Sequence, residues 1–400
     1  MKGIVQTEMR NRIRSKHSVI ITCAVMLAFS SITVTGCASS QDTEESETDA
    51  YIHESSEEQV YGECEELAEG YRDIYEKAGT QLNTYSVQEK IIDYLGTAGY
   101  AAVDAQNQID MVNADQIEEF CENAQANKKG RATILLVTAE GGFVRYDLTT
   151  KDGNISVVES YLNWTDGEPR GDGLRSFDAY TWKYTDNGYL FLEEYQPVGY
   201  DGAPGQVGFR VKPLDAKCRE LNRKYVMPVG FGYNNLLITD WDEANYGALD
   251  FYDLYERLYR AESGGSYPYE SGYEPMEYEI PKNDFESLME KYFAINHDTL
   301  VQYTAYNEAE QTYHYITRGF ADSEFPYGPY PEVVAYKKMD DQTILLTIQA
   351  VWIWKERDQA LTTELVVRPL EDGRFQYVSN HVIADDGQKR AEWYTSRGAE

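Results

Sequence analysis

The order of apolar and polar positions divides the chain into stretches of two different periods. Over residues 86–95 the spacing is helical. Val87, Ile91, Ile92 and Leu95 fall three or four apart, Ser86 and Glu89 form a capping box, and Gly96 and Gly99 follow. Residues 65–75 carry a weaker stripe through Leu67, Tyr71, Ile74 and Tyr75. Asn113 is placed to cap a helix that buries Ile117, Phe120, Cys121 and Ala124. The period then changes to two. Residues 133–138, 143–148 and 155–164 read as strands, joined at Gly141-Gly142 and at Lys151-Asp152-Gly153-Asn154. Asp166-Gly167-Glu168-Pro169 opens a loop-rich stretch. Residues 179–185 and 189–195 flank a hairpin turn at Asp186-Asn187-Gly188. A short strand at 207–211, a helix opened by Pro213 over 214–225, and an amphipathic aromatic helix at 248–260 complete this half.

Residues 263–281 are rich in Gly, Pro and Tyr and hold no period, so they read as a linker. Beyond it Asn283 or Asp284 caps a helix running to Phe293, with Phe285, Leu288, Met289 and Tyr292 on its buried side. Strands are expected at 312–317, 333–338, 343–354, 361–368 and 375–383. No helices separate them, so the sheet should be antiparallel. The class is α+β, as two helix-then-antiparallel-sheet units at 71–262 and 282–390, with a tail at 391–400. The echo of Val211-Lys-Pro-Leu-Asp215 in Val367-Arg-Pro-Leu-Glu371 is a faint trace of duplication.

The front of the chain changes the picture. Arg10, Arg12, Arg14 and Lys16 precede a nearly uncharged apolar run over 19–34, the layout of an export signal. The run is shorter than the ~20 residues of a spanning helix. It ends in Val34-Thr35-Gly36-Cys37, which resembles the lipobox of bacterial lipoproteins. That resemblance implies removal of residues 1–36, a diacylglycerol on the Cys37 thiol, and a protein anchored through lipid at the outer face of the cell membrane. Two acyl chains hold stably, at ~0.8 kcal/mol per buried CH₂. Residues 37–70 contain no base and read as an acidic, disordered stalk.

Charge narrows the partners. The chain has 36 Lys+Arg against 68 Asp+Glu, a net charge of −32. Loss of residues 1–36 removes five bases and one acid and takes this to −36. Such a surface repels nucleic acid and anionic headgroups, which excludes DNA and RNA. Cys64, Cys121 and Cys218 form no disulfide framework, and the last two read as buried helix residues.

Catalytic signatures are missing from the sequence: there is no H-E-x-x-H, G-x-S-x-G, S-x-x-K or P-loop. Gly230-Phe-Gly232 lacks a third glycine. Asp240-Trp-Asp242-Glu243 departs from a calcium loop at Ala244 and Gly247. His297 reads as the end of a helix, and His314 and His381 as strand residues. None has ligand spacing, so no metal or cofactor is expected. Glu193-Glu194, among Tyr189, Phe191 and Tyr195, is where a glycan hydrolase would find paired carboxylates. The 34 tyrosines against 13 phenylalanines are the unusual feature. They either fill half-exposed strand positions or form recognition loops. Tyr267, Tyr269 and Tyr273 form one such cluster. Tyr327 and Tyr330, in Phe325-Pro326-Tyr327-Gly328-Pro329-Tyr330-Pro331, form another and are the candidate binding residues.

Gly142-Phe-Val-Arg-Tyr-Asp-Leu148, Val211-Lys-Pro-Leu-Asp215, Cys218-Arg-Glu-Leu-Asn-Arg-Lys-Tyr225, Tyr330-Pro-Glu-Val-Val334 and Phe375-Gln-Tyr-Val-Ser-Asn-His-Val382 carry a further resemblance. Over most of residues 80–395 the chain resembles an uncharacterised family of clostridial, Gram-positive lipoproteins. The resemblance implies a source but no activity. The reading is a lipid-anchored binding or structural module, with cell-wall glycan or peptide as the partner. The alternatives are a wall or glycan hydrolase using paired carboxylates, and an extracytoplasmic sensor or assembly partner.

Overall fold

A computed structural model describes residues 57–200, 202–319, 327–383 and 391–397, which form a mixed α+β fold. Its first part comprises α1 (Glu57–Gly70), α2 (Arg72–Ala78), α3 (Tyr85–Thr97), β1 (Ala101–Asp104), α4 (Ala114–Gln125) and β2 (Gly130–Val137). Then come β3 (Phe143–Lys151), β4 (Asn154–Thr165), β5 (Glu168–Tyr184), β6 (Tyr189–Glu194) and β7 (Gln206–Arg210). These strands make a seven-stranded sheet in chain order. Only β1 and β2 pair in parallel within it, because α4 provides the crossover that parallel neighbours need. One face buries α4 through Ile117, Phe120 and Cys121, together with strand residues from Val103 to Phe209. The opposite face of β2–β4 packs on α1–α3.

Three local expectations change here. The stalk placed over 37–70 gives way to helix α1 from Glu57 onward; residues 37–56 lie outside the described residues. Val60, Cys64 and Ala68 are buried and lie four apart, so an apolar stripe runs through the acidic stretch. The loop-rich stretch after Asp166 is part of the 17-residue strand β5. Gly171 and Gly173 belong there because helix α1 and Tyr161 press close: a Cβ on Gly171 would meet Tyr61 Cα at 2.8 Å, and one on Gly173 would meet the Tyr161 ring at 2.7 Å. The expected side-chain caps do not form. α3 starts at Tyr85 without a side-chain cap, and Asn113, at φ 52°, donates instead to the Gly96 and Tyr100 carbonyls.

The second part begins with α5 (Ala216–Leu221), capped by Asp215 rather than opened by Pro213, and a π turn at Asn222–Val226. β8 (Trp241–Asp242), α6 (Phe251–Ser263), β9 (Glu277–Pro281), α7 (Lys282–Tyr292), α8 (His297–Tyr303), β10 (Tyr306–Asn307) and β11 (Thr312–Ile316) follow. The last strands are β12 (Tyr330–Lys338), β13 (Ile344–Trp352), β14 (Arg357–Pro369) and β15 (Phe375–Ile383). They form an antiparallel sheet in the order β12-β13-β14-β15-β8; β10-β11-β9 form a smaller one. Asp250 caps α6, and His297 opens α8 rather than closing the helix before it.

One hydrophobic core runs through this part, from Cys218 to Tyr394. It crosses residues 263–281: Tyr267 is buried and its ring contacts Tyr255, Tyr259, Tyr269 and Tyr315. Tyrosines thus build a core here, with edge-on rings around Tyr267 and the Tyr315 hydroxyl donating to Glu256. The segment 391–397, expected as a tail, is docked. Trp393 and Tyr394 are buried, and Asp253 on α6 accepts from Arg318, Tyr394 and Arg397. The two copies of the V-K/R-P-L-D/E echo lead to different structures, a helix after Asp215 and a hairpin turn after Leu370.

Candidate functional site

β1 ends at Asp104, and the chain then turns across the end of the sheet. The Asp104 carboxylate is 6% exposed and holds this turn: Oδ1 accepts from Ile109 N at 2.7 Å and Oδ2 from Gln106 N at 3.2 Å. Burial pushes its pKa up, against the pull of those amides and of Arg219. Asn107, fully buried at φ 52°, reaches the last strand of the same sheet. Its Nδ2 donates to Gly208 O at 3.1 Å and its Oδ1 accepts from Arg210 N at 2.7 Å.

α5 and the π turn brace this turn from the other side. Arg219 Nη1 donates to Asn107 O at 2.7 Å, and Nε and Nη2 donate to Asp110 Oδ1 at 3.0 and 2.8 Å. Asn222 Nδ2 donates to Gln108 Oε1 at 2.8 Å and to Pro331 O at 3.1 Å. Behind them, Glu332 accepts from Arg210 Nη1 at 2.7 Å and from Tyr189 Oη at 2.5 Å. Burial raises the Glu332 pKa, and the charges of Arg210 and Arg219 oppose that rise.

Between the turn, α3 and the π turn lies a pocket of ≈ 270 Å³. Its walls are Asn83, Tyr85, Gln88, Asp104, Ala105, Gln106, Gln108, Ile109, Val137, Ala139, Arg223 and Met227. Gln88 is fixed by donation to Leu82 O at 2.8 Å and Thr138 O at 3.0 Å. The Arg223 guanidinium stacks on Tyr85, 4.0 Å from the ring centroid. Its Nη1 is buried without a hydrogen-bond partner, and so is Asn222 Oδ1 on the preceding residue. An unmet donor on a charged group costs about 1–3 kcal/mol or more. Burial raises the Tyr85 pKa, while Arg223 opposes the rise. The π turn sets this orientation; such turns are frequent at functional sites.

The wall contains no Ser, Thr, Cys, His or Lys. It offers four carboxamides (Asn83, Gln88, Gln106 and Gln108), a stacked cation, and a carboxylate already satisfied by backbone amides.

A family model described as a family of unknown function (DUF6070) matches residues 57–397. The chain belongs to the DUF6070 family. No curated protein and no solved structure matches it.

In this DUF6070 chain the residues singled out from the sequence are scattered. Tyr327 is 40% exposed, and its carbonyl accepts from Trp352 Nε1 at 2.7 Å. Tyr330 turns inward and donates to Tyr189 Oη at 2.8 Å, joining the Glu332 network. Cys37 lies outside the described residues. Glu193 and Glu194 point to opposite faces of β6. Glu194 pairs with Arg175 at 2.5 Å, and Glu193 accepts from Thr181 at 2.8 Å and Gln206 at 2.7 Å. The histidines hold different carboxylates: His297 with Glu286, His314 with Glu279 and His381 with Asp240. Among the described residues no group of three or more His, Cys, Asp or Glu is placed to hold a metal. Asp242 is occupied by a turn, accepting from Ala244 N and Asn245 N. No helix of the described residues is long and apolar enough to cross a membrane. Sequence reading passed over Tyr85, Gln88, Asp104, Gln108 and Arg223. The available signal was the polar run Asp104-Ala-Gln-Asn-Gln-Ile-Asp110 directly behind an apolar Ala101-Ala-Val103.

Proposed function

We propose that this protein is a binding module, held by lipid on Cys37 at the outer face of the membrane, that captures a small ligand bearing a carboxylate and amide groups. The end of a peptide has that chemistry. The observation that carries the reading is the tyrosine-stacked Arg223, whose Nη1 lacks an acceptor at the wall of an amide-lined pocket. A planar, preorganised guanidinium favours a carboxylate. The volume of ≈ 270 Å³ suits one or two residues of a peptide rather than a long chain. The lipid anchor rests on Val34-Thr35-Gly36-Cys37 and the basic-then-apolar stretch before it.

Calorimetric titration with short N-acetylated peptides, each as the free acid and as the C-terminal amide, tests the ligand. The acids should bind at least about tenfold tighter, the size of one charge-assisted contact, and Arg223→Gln should abolish the preference. Equal binding of acid and amide would sink the reading. Membrane fractionation of Cys37→Ala tests the anchor independently: the variant should leave the membrane fraction.

A further inference from the structure

At the rim of the seven-stranded sheet, the strand register gathers aromatic and acidic side chains on one face. β5 and β6 pair Ala179 with Glu194 and Thr181 with Glu193, so Tyr180 is the extra residue of a β-bulge. A bulge re-aims a side chain, and this one brings Tyr180 to the face that carries Thr181. Alternation along β6 puts Glu193 and Tyr195 on that face as well. The Tyr180 and Tyr195 rings lie 5.4 Å apart, inclined at 60°, and are 64% and 59% exposed.

A second carboxylate arrives from the other sheet. Glu356, at φ 49° just ahead of β14, places Oε1 3.1 Å from Thr181 Oγ1, while Glu193 Oε2 lies 2.8 Å from the same atom. One hydroxyl has one proton, so it serves only one of the two acceptors at a time. The two carboxylate oxygens are no farther apart than those two contacts end to end, about 6 Å. Burial raises the Glu356 pKa, with the charge of Glu193 adding to the rise and the Thr181 hydrogen bond and Lys183 opposing it. The face has more acceptors than donors and more negative than positive charge, beside two open rings.

We propose that this face binds an amino-sugar oligosaccharide, with its amine and hydroxyl groups on Glu193 and Glu356 and a ring face on the Tyr180–Tyr195 pair. A sugar ring combines an apolar C–H face with donors around its edge, which is the complement of what these four side chains offer. A second copy of this chain, at −32, would be repelled, as would an anionic glycan. An apolar peptide would bring no donor to either carboxylate beyond Thr181 and Gln206, which they already have. This site is separate from the Arg223 pocket, so Arg223→Gln should leave it unchanged.

The test titrates the protein with a glucosamine tetrasaccharide, its fully N-acetylated analogue and tetralysine, at low and high salt. The glucosamine oligomer should bind, and added salt should weaken it. The N-acetylated oligomer should bind at least about tenfold more weakly. Tyr180→Ala with Tyr195→Ala should cost about tenfold, as should Glu193→Gln with Glu356→Gln, which should also flatten the salt dependence. The exposed tyrosines make the first pair safe for folding, checked by circular dichroism. No binding of the glucosamine oligomer, unchanged affinity after loss of both rings, equal affinity for the N-acetylated oligomer, or equally tight tetralysine would each overturn the proposal.

Discussion

Arg219 and Arg223 lie four residues apart and meet opposite fates. Arg219 is 4% exposed, and each of its three nitrogens donates, to Asp110 or to the Asn107 carbonyl. Arg223, on the π turn that follows, lies against the face of Tyr85 with Nη1 unmet. A continued α-helix would place residues four apart on one face. The wider turn breaks that relation and sends the second guanidinium to the pocket wall. The difference teaches how to separate a cation that holds a fold together from one free to hold something else: count which donors are already taken.

The sealed side should break hardest. Glu332→Ala leaves Arg210 buried without its carboxylate, and denaturant unfolding should show a loss of about 3–5 kcal/mol. A loss under about 1 kcal/mol would mean that the junction is not the support described. Arg219→Ala should cost about 2–3 kcal/mol by the same measurement; its partner Asp110 is 36% exposed and can turn to water. Arg223→Gln removes the buried unmet donor together with the stacking on Tyr85, so it should not destabilise the fold, while abolishing the preference for free-acid peptides. Destabilisation as large as that from Arg219→Ala would erase the contrast.

The smallest effect is one of pH. The Glu356 pKa is raised above the ordinary Glu value near 4.3, so the folded state favours its protonated form. Its contribution is fully present below the unfolded-state value and is lost as pH rises through the folded-state value. Glu356→Gln should therefore gain stability relative to wild type between acid and neutral pH. Denaturation midpoints that stay parallel across that range would remove the acidic pair from consideration.

Much of the element pattern was legible because strong periods were present. The hairpin around Asp152-Gly153 and the helix over 86–95 sit within a few residues of their predicted places. Helix α1 was hidden because its stripe of Val60, Cys64 and Ala68 is small and sits among six glutamates. β1 was missed because four residues carry no period. β5 was obscured by glycines that exist for the sake of α1 and Tyr161, a tertiary cause with no local signature. The pocket failed for the same reason. Its walls come from α3, the turn after β1, the end of β2 and the π turn, and a side chain's missing acceptor is not a property of its neighbours in sequence.

Asn107 bonds Gly208 and Arg210 across 101 and 103 positions of chain, and thereby sets an order of events. A ribosome that has made everything up to residue 200 has delivered six strands but not the partner for this latch. Until the seventh strand emerges, the growing polypeptide carries an unfastened margin, and closing a loop of that span is slow. A nascent chain stalled before residue 206 should be cut readily by protease near Asn107, whereas one released after residue 215 should resist.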